Sequence, residues 1–197
     1  MRIFGLICFI CALLSTGCEI SPEKARTEGF TLYDNGNYEE ALPFLEKVFE
    51  INSTDPELIV RLAYCRTVVN DNPTSAIEIL TDSVIQFPDY ARTYYELSQI
   101  AYQYGPAQKD INIDQALEFS GKAVELAPED VSILENHANF HMLRGNLDSA
   151  YVWYKTANNV APDQHEIRMR LIQIESILQQ RTLLDSLSGI DTIVFRP

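Results

Sequence analysis

The chain has 197 residues, 46% of them apolar, and carries 15 basic against 28 acidic side chains, a net charge of −13. That length predicts one domain with enough apolar material for a core between stacked helices. An acidic chain with no stripe of Lys and Arg is a poor match for a phosphate backbone, so nucleic acid is excluded from the expected partners.

The first seventeen residues stand apart from the fold. Met1-Arg2 is a short positive segment, Ile3 to Leu14 is an apolar run, and Ser15-Thr16-Gly17 are small residues before Cys18. A twelve-residue helix covers about 18 Å, short of the ~30 Å hydrocarbon core, so an export signal fits better than a spanning helix. The stretch LLSTGC resembles a bacterial lipoprotein signal, with Ser15 standing where that motif prefers Leu. The resemblance implies cleavage before Cys18, lipidation of its thiol, and a location in the cell envelope on the outer membrane. An ordinary secretory leader cut near Gly17 is the alternative. Cys8 and Cys11 leave with the leader, and Cys65 is expected to be a small buried hydrophobe. Residues 18–21 form a short tether, after which Ser21 caps a helix opened by Pro22.

Further along, helix openings repeat one chemistry. Asn37 with Glu40 and Asp163 with Glu166 have capping-box spacing, and Asp55, Asn72, Asp89 and Asp130 are placed to cap other helices. Carboxylates at helix starts, such as Glu39-Glu40 and Glu129-Asp130, answer the helix dipole.

One unit explains most of the chain. Val131 to Gln164 holds a helix with Leu134, Ala138 and Met142 on one face, a break at Arg144-Gly145-Asn146, and a second helix with Ala150, Tyr154 and Ala157 on one stripe, stopped by Pro162. Ala41, Ala76, Ala116 and Ala150 recur at intervals of 35, 40 and 34, and Pro56, Pro88, Pro128 and Pro162 at 32, 40 and 34. Such a period predicts a helical solenoid. The unit resembles the tetratricopeptide repeat, with Leu134, His137, Ala138, His141, Ala150, Tyr154, Ala157 and Pro162 at the motif places. The first copy matches at Gly29, Gly36, Ala41, Leu45 and Val48, and the third at Tyr94, Leu97, Ser98, Ala116, Ala123 and Pro128. In the second, Leu62 with Ala63 and Ala76 with Leu80 fit only with one extra residue around Asn70 to Pro73. The resemblance implies an all-α, right-handed helical-hairpin solenoid of four repeats, residues 22–56, 57–90, 91–130 and 131–164. It also implies binding rather than chemistry.

The third copy carries an insertion from Tyr104-Gly105-Pro106 to Asn112, read as a tolerated loop or a contact loop. After the last repeat, 165–187 reads as a capping helix with Ile167, Leu171, Ile174 and Leu178 inward and Arg168, Arg170, Glu175 and Gln179 in water, and 188–197 as a tail.

Candidate sites follow from this frame. His137 and His141 have the spacing of two metal ligands on a helix, yet no third ligand stands near them in sequence, so a buried hydrogen-bonded pair is expected and no metal or cofactor. No nucleophile motif and no phosphate loop occur, and no catalytic residue is assigned. The resemblance places a groove along the first helix of each pair, supplied here by Arg26, Phe30 and Tyr33, then Arg61 and Tyr64, then Arg92, Tyr95, Gln99 and Tyr102, then Asn136 and Asn139. Tyr and Arg are common interface anchors. Stacking is expected to set Arg26, Arg61 and Arg92 in a row favouring a carboxylate-bearing segment of an envelope protein. The alternative pairs these arginines with carboxylates of neighbouring second helices, such as Glu57 or Glu96. A glycan stacked on exposed tyrosines is the second functional reading and an envelope enzyme the third, and the oligomeric state is left open.

Overall fold

The computed structural model describes residues 20–104 and 109–194, with side chains for 20–104 and 112–187. Cys18 and the apolar run before it lie outside the described residues. Among the described residues there are nine α-helices and no strand: α1 Pro22–Asp34, α2 Tyr38–Ile51, α3 Pro56–Asn70, α4 Pro73–Gln86, α5 Ala91–Tyr104, α6 Lys109–Leu126, α7 Val131–Leu143, α8 Leu147–Val160 and α9 His165–Val194. None of the described helices is long and apolar enough to cross a membrane. The chain divides into two compact units, the first ending at Thr54 and the second beginning at Asp55.

The first unit is the hairpin α1–α2. Ser21 caps α1 by accepting from Lys24 N at 3.3 Å, and Pro22 opens it. The helices close on Gly29, where an added Cβ would stand 3.0 Å from Phe44 Cβ and 3.1 Å from a Leu45 methyl. Ala25, Ala41 and Leu45 are fully buried behind it. The turn runs through Gly36 at φ +79°, a left-handed conformation that costs a residue with a Cβ about 1 kcal/mol or more.

The second unit stacks the hairpins α3–α4, α5–α6 and α7–α8 and closes with α9. Asp55 caps α3 through Glu57 N and Leu58 N, Asn72 caps α4 through Ser75 N, and Asp130 caps α7 through Ser132 N and Ile133 N. The residues after α4, α6 and α8 share one turn: Phe87 N, Ala127 N and Ala161 N each bond the carbonyl four residues back, and Pro88, Pro128 and Pro162 follow. One core runs through the last three helices and the hairpin before them, with Leu134, Ala138, Ala150, Tyr154, Ala157, Ile167 and Ile174 buried and Tyr94, Ala123 and Val124 joining from α5 and α6. Leu171 and Leu178 pack against it from α9, so the capping face is formed by the four residues expected of it.

Several local expectations are corrected. Asn37 and Asn146 precede α2 and α8 but make no side-chain cap bond, whereas Asn72, at nearly the same ψ but with φ −116° against −86° and −83°, makes one. Asp89 and Asp163 fall one residue short of capping, since Tyr90 and Gln164 directly precede α5 and α9. Pro56 opens α3 rather than closing α2. The second copy's one extra residue is the net of an α3 two residues longer than α1 and α7, 15 against 13, and a link to α4 one residue shorter, in which Asp71 takes the left-handed turn at φ 47°. Helix α6 begins at Lys109, so part of the expected insertion loop is helical, and residues 105–108 lie outside the described residues. Helix α9 continues to Val194, through most of the expected tail.

Candidate functional site

In the second unit the first helices of successive hairpins meet directly. The Tyr90 hydroxyl, at the start of α5, donates to Glu57 on α3. Asn136 Nδ2 on α7 donates to Ser98 Oγ on α5 at 2.8 Å, and the rings of Tyr102 and Phe140 lie 5.6 Å apart. These contacts lay α3, α5 and α7 side by side, and the residues along them form the candidate binding face.

Helix starts fix the register. Arg61, Glu96 and Asn136 are each the sixth residue of their helices, and Glu57, Arg92 and Ser132 each the second. Arg26 is the fifth residue of α1, in the other unit. The arginines of α3 and α5 therefore differ by four places in their helices, Arg61 holding the place of Glu96 and Arg92 that of Glu57, and the α3 charge that reaches Glu96 is Glu57. Glu57 and Glu96 are themselves on first helices, not second ones. In place of the expected basic row stands a balanced set of two acids and two bases.

The two acid–base pairs behave differently. On α3, Glu57 precedes Arg61 by one turn, the order the helix dipole favours, and Nε of Arg61 bonds Glu57 Oε1 at 2.7 Å. The Arg61 side chain is 16% exposed, and Glu57 also takes the Tyr90 hydroxyl. On α5 the order is reversed. Arg92 lies over the Tyr95 ring at 4.9 Å rather than on Glu96. Glu96 is 7% exposed, and burial, opposed by Arg92 and reinforced by Glu57, lifts its carboxyl to about 7. Among the described residues it accepts no hydrogen bond and makes no ion pair.

The remaining candidates sort by what already occupies them. Gln99 Nε2 donates to the Tyr95 hydroxyl at 3.3 Å, while burial raises that phenol. Tyr64 and Tyr102 are half-buried. Asn136 is buried and bonded to Ser98, and Asn139 accepts from the buried Tyr154 hydroxyl, so both act as packing links between helices more than as open contacts. In the first unit, Arg26 lies 4.0 Å over Phe30, and Tyr33 meets Tyr38 edge-on at 5.3 Å. Glu57, Tyr90 and Glu96 were missed as members of the face. Counting two residues back from Ala63, Ser98 and Ala138 would have found Glu96 at the same place in its repeat as Arg61 and Asn136.

The histidines form a relay in which His137 is buried and His141 only half-buried. His137 Nδ1 lies 2.7 Å from Ser120 Oγ, its Nε2 lies 3.2 Å from His141 Nε2, and its ring meets Trp153 edge-on at 5.0 Å. Burial and the neighbouring ring lower His137 to about 4. His141 Nδ1 has no partner, which favours the tautomer that places a bare lone pair there and the proton on Nε2. Among the described residues no group of three His, Cys, Asp or Glu is placed to hold a metal. Cys65 is fully buried, and burial pushes its thiol up to about 12 despite Arg61, so it packs as a small apolar side chain.

This architecture is the helical-hairpin fold of tetratricopeptide repeat proteins. A tetratricopeptide repeat profile matches residues 28–55. A thermophilic TPR protein of Thermus thermophilus superposes with a TM-score of 0.69 and 24% identity, over 80% of this chain and 83% of that one. The pilF protein of Pseudomonas aeruginosa gives 0.67 and 17%, over 86% and 73%. MamA gives 0.57 and 20%, over 74% and 76%. The chain is also 27% identical over 156 residues to human protein O-mannosyl-transferase TMTC1, spanning 76% of this chain but 17% of that protein's length.

Proposed function

We propose that this protein is a membrane-tethered adaptor of the bacterial cell envelope that holds a segment of a partner protein along the joined first helices of its second unit. The observation that carries the reading is the continuous face of α3, α5 and α7, lined by Arg61, Tyr64, Arg92, Tyr95, Gln99 and Tyr102. The fold supports protein binding in general. The tether rests on LLSTGC and its lipoprotein resemblance, which makes Cys18 the lipidated residue.

Two variants test the two halves. Arg92→Ala with Gln99→Ala is expected to lose partners captured from gently solubilised membranes while keeping its helical circular dichroism; capture of every wild-type partner would refute the face. Cys18→Ser is expected to leave the detergent phase in phase partitioning, and unchanged partitioning would refute the anchor.

A further inference from the structure

Along the face of α3, α5 and α7 nearly every buried polar group is already answered from within. Glu57 has Arg61 and Tyr90, Asn136 has Ser98, Asn139 has Tyr154 and the Tyr95 hydroxyl has Gln99. Glu96 is the exception: a residue only 7% exposed, sixth in α5 as Arg61 is in α3 and Asn136 in α7, whose carboxyl oxygens still reach the surface and take no hydrogen bond from the described residues. A buried carboxylate in that state costs more than almost any other single group in a fold, and a neutral side chain of similar size would avoid the cost. Arg92 relieves it only in part: its charge favours the carboxylate, but Arg before Glu is the weaker order at this spacing and the guanidinium lies over Tyr95 rather than on Glu96.

We propose that Glu96 is the recognition point for a basic group of the bound segment, a lysine or arginine side chain or a free amine, seated beside Tyr95 and donating to the Glu96 carboxylate. This rests on the reading of the face as a protein-binding surface and adds to it the charge of the partner, which is opposite to what a row of arginines would select. A cation there supplies the hydrogen bonds that the fold withholds, in a site dry enough for a charge-assisted bond to hold strongly. Tyr95, which carries the Arg92 guanidinium at 4.9 Å on one face of its ring, has its other face for the alkyl stem of a lysine or the plane of a guanidinium. Arg92, one turn away and likewise outside any ion pair, is placed to take a carbonyl or carboxylate of the same segment.

The test is selection from a random twelve-residue peptide library displayed on phage, against the wild-type chain, Glu96→Gln and Glu118→Gln. Glu118 is exposed on α6, so its variant makes the same change in net charge away from the face. The expected result is a basic residue enriched at one position with the wild type and Glu118→Gln, and lost with Glu96→Gln while other positions persist. Synthetic versions of the selected peptide, with lysine against acetyl-lysine and a free against an acetylated N-terminus, separate a side chain from a terminal amine. Neutralising the correct group is expected to weaken binding about tenfold or more. Acidic consensus peptides, or a basic consensus that survives Glu96→Gln, would overturn the inference and leave the binding face standing. Absence of any enriched peptide would overturn both.

Discussion

Glu96→Gln is expected to stabilise the protein, and only at the higher end of the pH range. Burial holds the Glu96 carboxyl at about 7 against an ordinary 4.5, with Arg92 pulling down and Glu57 pushing up. Between those values the folded state binds more protons than the unfolded one, so the contribution is fully present below 4.5 and is lost as pH rises through about 7. At about 1.4 kcal/mol per pH unit, ionised Glu96 costs the fold about 3 kcal/mol at pH 8. His137 works in the opposite sense. Held near 4 by burial and by His141, against an ordinary 6.5, it contributes stability that is full above 6.5 and lost as pH falls toward 4. The two slopes oppose each other across the window from about 4.5 to 6.5, and the wild type is expected to change little there. Glu96→Gln removes one slope. The variant should match the wild type at pH 4.5, exceed it by about 3 kcal/mol at pH 8, and rise with pH up to about 6.5 before levelling off. Urea unfolding followed by the single Trp153, in the second unit beside His137, measures this. Equal stability at pH 8, or a larger difference at pH 4.5, would refute the account of Glu96 as a buried, unanswered carboxylate.

The other substitutions read separate parts of the fold. His137→Ala removes the ring between Ser120, His141 and Trp153 and is expected to cost about 1 to 3 kcal/mol at pH 7, less at pH 4.5, with no response of the wild type to added zinc; a zinc-dependent rise in melting temperature lost in the variant would revive the metal reading. Gly29→Ala sets a methyl 3.0 Å from Phe44 Cβ and is expected to destabilise the first hairpin by about 1 to 3 kcal/mol, read as faster amide exchange in α1 and α2. Asp71→Gly relieves a left-handed residue at φ 47° and is expected to be neutral or to stabilise by up to about 1 kcal/mol in thermal melts, whereas Asp71→Val should destabilise.

The repeat was legible because each of its marks has one physical reason. Ala41, Ala76, Ala116 and Ala150 are all fully buried where two helices leave no room for more than a methyl. Gly36 and Gly145 take the same left-handed turn, and Asn37 N and Asn146 N close it on carbonyls five residues back. Pro88, Pro128 and Pro162 follow their helices at one place. What could not be read was local register. The longer α3 gives no warning in composition, and Asp71 fills a turn that glycine fills elsewhere. The offset between Arg61 and Arg92 did not depend on that ambiguity, since they stand two and six residues before Ala63 and Ser98 and could have been counted. Cap assignments failed at another level: Asn and Asp suit a helix opening in type, but Asp89 falls one residue early in its turn, and Asn37 makes no cap bond although Asn72 at a similar ψ does. The binding face needed contacts between helices, Tyr90 with Glu57 and Asn136 with Ser98, that lie 33 and 38 residues apart in the chain.

The central claim, that a partner segment lies on the first helices of the second unit, is tested most directly by placing a photoreactive p-benzoylphenylalanine at Gln99 on α5 and, separately, at Val152, 57% exposed on the second helix α8, in cells producing the protein. The account predicts a discrete crosslinked protein from position 99 and none from position 152, with the attached segment carrying a basic residue near the crosslink. Adducts from position 152 alone, or from both positions equally, would contradict it.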